Sequence, residues 1–462
     1  MTIDRLITGG RVFIDGSYQP LDIAIANGTI AAIGTPGAFD GTSGDVVDAG
    51  NRLVFPGVID SHFHSRAPSH PERETFATAT AAAAAGGVTT LIEMPISEPP
   101  AINGEVVRSR GLLVESEAYV DVGFYASCGT LRREDLESSI EAGALAFKGF
   151  LQQVPPGRES EFEGLCLPTN GELLQAFELL RDYDLPCAFH PEDEAMLRML
   201  RSRLQAEGRR DGLAHAEHRP DYVEAVSVAT LLQLADHFGV HLQVPHVSSR
   251  ITVNLIREAK ARGVRVTAET CPQYLQFDAS DLDRLGPYAV CNPPLKSPDD
   301  RVALWEAIAD GTIDTIASDH SPFTAAEKDR ALDDIWLSPP GFPGVEVLAP
   351  FVIGAALEGR ITHARLNELI FVNPARIFGL KPRKGVIRPG ADADLMLYDP
   401  DLRSTFDSST FTSKAKAIGK IWDGVPRAGT VTTTLLRGEV VYHDGVVTGV
   451  SGAGRALMRI AG

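Results

Sequence analysis

The chain has too few cysteines, too widely scattered, to build a disulfide framework. Its five, Cys128, Cys166, Cys187, Cys271 and Cys291, are odd in number and contain no C-x-x-C pair, which suits a reducing cytoplasm. Positive charge is also scarce: 43 Lys and Arg stand against 61 Asp and Glu, for a net charge of −18. That balance argues against nucleic acid or an anionic membrane as a partner. There is no long hydrophobic run. The alanine-rich stretch from Ala81 to Ala85 is far too short to span a bilayer, and Met1-Thr2-Ile3-Asp4-Arg5 opens into a strand-like pattern rather than a signal peptide. No G-x-G-x-x-G follows a first strand, which weakens a doubly wound nucleotide-binding sheet. What remains is an ordinary globular composition, 44% hydrophobic and 23% charged over 462 residues, enough for a large core and more than one domain.

Short apolar runs recur with helical patterns between them. Eight read as strands: 54–59, 88–94, 121–126, 144–147, 186–189, 241–245, 264–268 and 313–317. Buried strands alternating with helices imply parallel βαβ units. Eight units in this span predict a (β/α)8 TIM barrel over residues 54–383. Both chain ends read differently. Residues 1–53 and 384–450 carry alternating apolar stretches broken by turn signals such as Asn27-Gly28 and Asp444-Gly445, predicting one small β-sandwich domain assembled from both ends. Residues 452–462 are expected to form a loose tail.

The chemistry concentrates at predicted strand ends. In Asp60-Ser61-His62-Phe63-His64 the two histidines are two apart, so on a strand they point to one side and make half of a metal site. Lys148 ends the fourth strand, His190 the fifth, His246 the sixth and Asp319 the eighth. The carboxyl ends of barrel strands face the catalytic mouth. Each of these residues follows apolar neighbours, so burying it alone would be costly; grouped around cations, that cost is offset. Four histidines, a carboxylate and a lysine could hold two divalent ions. The lysine fits only if its amine, with a pKa lowered by burial, captures carbon dioxide as a carbamate and so offers two anionic oxygens.

This set resembles the cyclic amidohydrolases: hydantoinase, dihydropyrimidinase, allantoinase and dihydroorotase. The resemblance rests on "PGVIDSHFH", "AAAAGGVTTLIEMP", "FKGFL", "FHPED", "PHVSS", "NPPLKS", "GTIDTIASDHSPF" and "GVIRPGADADLMLYD", and covers nearly the whole chain. It implies that His62, His64 and Asp319 hold one zinc ion and that His190 and His246 hold the other. Lys148, as N6-carboxylysine, would be shared by both. It further implies ring opening of a hydantoin or related cyclic ureide by a metal-bridged hydroxide, with Asp319 as proton acceptor and donor, in a homotetramer or dimer. Allantoin and then dihydroorotate are the alternative substrates. A non-catalytic dihydropyrimidinase-like assembly protein and a mononuclear deaminase are readings of other classes, and retention of all six ligand positions weighs against the first.

Several further residues carry expectations. Arg66 stands two after His64 and could bind a substrate carboxylate, or pair locally with Glu72 or Glu74. Asn292 could hydrogen-bond the ring imide, and Gly341 lies in a Pro-Pro-Gly-Phe loop that could offer backbone groups to substrate. Ile96, where dihydroorotases carry asparagine, favours an uncharged ring substituent. Asp60 is expected to orient a ligand histidine, Glu93 and Glu269 to be structural carboxylates at the mouth, and His320 to stand behind the ligands or meet the substrate.

Overall fold

The computed structural model describes residues 2–42 and 44–459. Its centre is an eight-stranded parallel sheet whose strands follow one another in chain order. These are β1 (Val58–Phe63), β2 (Val88–Glu93), β3 (Asp121–Ser127), β4 (Ala146–Phe150), β5 (Cys187–His190), β6 (Leu242–Val244), β7 (Val266–Thr270) and β8 (Thr315–Ile316). Their residues are buried throughout, as expected where helices cover a parallel sheet. The seam between β8 and β1 closes just beyond the strand ends, where His64 N–H donates to His320 C=O at 2.9 Å and Phe63 bridges His320. Helices start where the sequence supplies caps. Thr75 with Thr78, Thr169 with Glu172 and Ser297 with Asp300 form reciprocal capping boxes on Phe76–Ala85, Asn170–Leu180 and Pro298–Asp310. Among the described residues no helix is long and apolar enough to cross a membrane.

A second body packs against the barrel. Strands Arg11–Ile14, Ser17–Pro20 and Leu53–Pro56 from one chain end join Leu395–Thr405, Pro426–Leu436, Glu439–His443 and Val446–Val447 from the other in a seven-stranded sheet. A four-stranded sheet, Arg5–Thr8, Asp22–Ala26, Thr29–Gly34 and Asp45–Asp48, lies over it. Ile7, Ile23 and Ile25 from this sheet meet Val12, Val54, Leu395 and Leu435 from the larger one in a shared apolar core, which makes the pair a β-sandwich.

Two expectations change. The predicted first barrel strand, 54–59, is divided between the two bodies. Leu53–Pro56 pairs with residues 395–398 of the sandwich, and β1 begins only at Val58. Gly57 makes the crossing. A Cβ there would lie 2.0 Å from Thr89 Oγ1, so only glycine lets the backbone pass so close to β2. The expected loose tail is also bound over its described part. Arg455 C=O accepts from Val122 N–H at 3.0 Å, and Leu457 N–H donates to Val122 C=O at 2.8 Å. The tail uses backbone groups low on β3, below the point where β4 pairs with it from Tyr125 onward.

The two bodies also share a buried charge cluster. Lys384 Nζ donates to Asp121, the first residue of β3, and to Asp394, which precedes a sandwich strand. Arg437 adds contacts from Nη1 to both carboxylate oxygens of Asp121, at 2.6 and 2.8 Å. The carboxylates Asp121, Asp392 and Asp394 lie close enough together to hold a cation, and Lys384 with Arg437 already meets that need.

Candidate metal centre

At the carboxyl end of the barrel, β1 delivers His62 and His64 just where the sheet stops. Their Nε2 atoms lie 3.4 and 3.5 Å from Asp319 Oδ1. Those separations are too long for hydrogen bonds. They match the spacing of about 3.3–3.5 Å expected between two donor atoms that share one tetrahedral ion at about 2.0–2.2 Å. Across the mouth, His190 Nδ1 and His246 Nε2 approach to 3.1 Å. The two pairs adjoin, with the His62 and His246 ring centroids 5.2 Å apart. His246 and Asp319 reach these places through left-handed backbone, at φ of 39° and 47°, a conformation that non-glycine residues adopt at a cost.

Every ring in the group is buried. Burial first, then neighbouring positive charges, holds His64 and His246 far below the usual histidine range, so they are neutral bases suited to ligation. Lys148 is 1% exposed, and its Nζ has no hydrogen-bond partner. Burial lowers it to about 8, against the pull of Glu269 and Asp319. Its charge is felt at His64, His190, His246 and Asp319. An orphaned buried amine beside four side chains of metal-ligand type is what a carbamate-forming lysine requires, so these residues fit a pair of divalent ions.

Two carboxylates fix the rings. Glu269, at the end of β7, accepts from His62 Nδ1–H at 2.9 Å and from Ser61 Oγ–H at 2.6 Å, which turns Nε2 toward Asp319. Glu192 accepts from His190 Nε2–H at 2.8 Å, which turns Nδ1 toward His246. Burial alone would raise Glu192, but Arg219 and His190 outweigh it and hold the carboxyl far below its ordinary range.

This corrects two readings. Asp60 does not orient a ring. It accepts from the backbone N–H of Ser318 at 2.9 Å and of His62 at 3.3 Å, tying β1 to the residues after β8. The orienting role belongs to Glu269, which sequence reading left as a structural carboxylate. Glu192 was not singled out at all, although it stands in the quoted "FHPED" two residues after His190. Glu93 does act structurally, accepting from Ser65 N–H and Oγ–H. His320 stacks on Phe63 at 4.7 Å, accepts from Gly344 N–H at 3.3 Å and is held at about 3 by burial.

Arg66 pairs with neither Glu72 nor Glu74. Glu72 accepts from His70, and Glu74 from Thr78 and Ser413. The guanidinium is 3% exposed, donates from Nη2 to Ser321 Oγ at 2.7 Å, and leaves Nε and Nη1 without partners. Burial lowers it to about 9. Asn292 Oδ1 is likewise buried and unpartnered. Gly341 N–H donates to Val290 C=O at 2.8 Å, so the polar backbone atom it keeps free is its carbonyl. Ile96 packs with Phe150, Phe162 and Leu165, in a cluster that covers the loop after β4.

Comparison with known proteins places the whole chain among relatives. The model of the amidohydrolase family matches residues 53–441. The chain is 31% identical to the L-hydantoinase of Paenarthrobacter aurescens over 458 residues, covering 99% of this chain and 98% of that one. It is 35% identical to the dihydroorotase of Pelotomaculum thermopropionicum over 454 residues, covering 96% and 99%. The solved L-hydantoinase (dihydropyrimidinase) from Arthrobacter aurescens superposes with a TM-score of 0.93 at 31% identity, covering 99% of this chain and 100% of that structure.

Proposed function

Because the chain belongs to the amidohydrolase family, we propose that it hydrolyses a ring amide bond of a hydantoin or a related cyclic ureide. In this reading His62, His64 and Asp319 hold one divalent ion, His190 and His246 hold a second, and Lys148, carboxylated on Nζ, is shared. Zinc suits the imidazole-rich set. The observation that carries the reading is Lys148, a buried amine with no partner among residues of metal-ligand type. When bound, such ions activate water near neutral pH and polarise a carbonyl.

Asp319 is the carboxylate nearest the reacting position, with Oδ1 close to both His62 and His64. It takes a proton from the attacking water as the new C–O bond forms. It returns that proton to the ring nitrogen as the C–N bond breaks. The product is an open-chain ureido acid. Arg66, Asn292 and Gly341 are the substrate contacts in this reading. The free N–H groups of Arg66 support a second version in which the ring carries a carboxylate, as a dihydroorotate does. The working protein is taken to be a cytoplasmic homotetramer or dimer, which sedimentation would check.

The test is ring opening by zinc-loaded protein, with both enantiomers of a 5-substituted hydantoin, allantoin and dihydroorotate run side by side. Turnover of the hydantoins or allantoin supports an uncharged ring. Selective turnover of dihydroorotate supports the carboxylate version. Inertness toward all of them, with metal bound, would overturn the reading.

A further inference from the structure

Lys328 is fully buried, in the short helix Ala325–Asp329 that follows β8. Among the described residues no carboxylate pairs with it. Its neighbour Glu327 is committed to Arg73 and to the Thr324 cap. Instead its ammonium donates to three backbone carbonyls, Pro287 at 2.9 Å, Val290 at 3.3 Å and Pro339 at 2.7 Å. An ammonium has three donors in tripod geometry, and all three are used. Two of the acceptors lie on the loop that leads to Asn292. The third lies on the loop that carries Gly341. The loops also meet directly, through Gly341 N–H to Val290 C=O at 2.8 Å and Ser338 Oγ–H to Pro287 C=O at 3.3 Å. Gly341 packs against Ser321, where a Cβ would lie 2.5 Å from that side chain, and Ser321 accepts from Arg66.

A buried charge is a poor means of gaining stability, since apolar replacements of similar volume are often neutral or better. Burial pushes Lys328 down to about 7, which expresses the cost of keeping it charged. An unpaired ammonium retained at this cost, between two loops that both lead to proposed substrate contacts, has a use other than core packing. We propose that Lys328 is a positioning residue for substrate recognition, which locks the Asn292 and Gly341 loops in one mutual register. This rests on the cyclic-amide reading above, in which those loops meet the ring.

The experiment compares wild type with Lys328→Ala, reading KM, kcat, metal content and amide hydrogen exchange. The expected result is a KM raised about tenfold or more, since small misplacement of binding groups is costly, with kcat changed much less and metal content unchanged. n-Propylammonium, which restores the missing amine, should bring KM back, and the same concentration of 1-propanol should not. Amide exchange should rise together in residues 286–292 and 338–342 while β1 stays protected. A fall in kcat or in active fraction at constant KM would overturn the proposal, as would exchange that leaves both loops unchanged. If the alanine variant does not fold, Lys328→Met fills the space without the donors and carries the same comparison. If wild-type protein opens no ring, the functional reading has failed, and the exchange measurement still decides whether Lys328 couples the loops.

Discussion

Glu269 Oε1 lies 2.9 Å from His62 Nδ1. That one contact sets the tautomer, because a carboxylate can only accept, so Nδ1 carries the proton and Nε2 is left as a base. Glu269→Gln should lower affinity for one of two bound ions by about 10–100-fold, read by competition with a chromophoric chelator. Glu192→Gln should do the same for the other ion through His190. Equal and unchanged affinity in both variants would remove the tautomer argument.

Lys148→Ala tests the shared ligand. Without the amine no carbamate forms, so the protein should lose metal and turnover together. A short carboxylic acid such as propionate should restore part of both by supplying two oxygens in the vacated space. Full activity in the variant would sink the two-ion arrangement.

Much of this was legible in the sequence for a physical reason. A strand end is a fixed address, so His62, His190, His246 and Asp319 could be placed by counting from apolar runs. What holds His190 lies two residues away in Glu192, but what holds His62 is set by a pair far apart in the chain. Glu269 and His62 are 207 positions apart, and nothing local in either segment names the other. Pairing also decided the fate of residues 54–59. Their apolar run is continuous, but Leu53–Pro56 finds partners in the sandwich, and hydropathy does not say which sheet a strand joins. Helix Glu194–Ala206 is written in the helical spacing of Leu197, Leu200 and Leu204, whereas Pro350 inside Val345–Leu357 argues locally against the helix that forms there. Ile96 has protein neighbours of its own, and one of them, Phe150, stacks on His190 at 5.9 Å, a proximity that hydropathy alone does not give.

The junction between the two bodies makes a stability prediction. Lys384 serves the buried carboxylates Asp121 and Asp394, so Lys384→Met leaves two buried charges short of a partner. The expected loss is about 3–5 kcal/mol, measured by urea unfolding. A double variant that also carries Asp394→Asn should recover part of it.

Glu224 makes the pH prediction. It is 1% exposed and accepts from Ser248 N–H and Oγ–H at 3.1 and 2.6 Å. Burial pushes it up to about 7 from the usual carboxylate range. Between those values the folded chain holds a proton that the unfolded chain releases. The contribution to stability is therefore complete below the unfolded pKa and is lost as pH rises through about 7. Glu224→Gln should flatten the pH dependence of unfolding in that window, by roughly 2–3 kcal/mol across it. A slope identical to wild type would show that Glu224 is not the group responsible.

Arg66 offers the test of which ring the site prefers. Arg66, 3% exposed with Nε and Nη1 unpartnered, has its desolvation offset only in part by Glu161 and Glu93, and among the described residues its guanidinium hydrogen-bonds to no anion. A substrate carboxylate would supply one, through charge-assisted hydrogen bonds worth about 1.5–3 kcal/mol each. Arg66→Met should then lower kcat/KM for a carboxylated ring by about 10–100-fold and leave an uncharged 5-alkyl hydantoin far less affected. The variant keeps Phe323, on which the guanidinium lies at 5.4 Å, so the loop that follows β8 retains an apolar contact. An equal loss for both ring types would mean that Arg66 serves the loop through Ser321 and not the substrate.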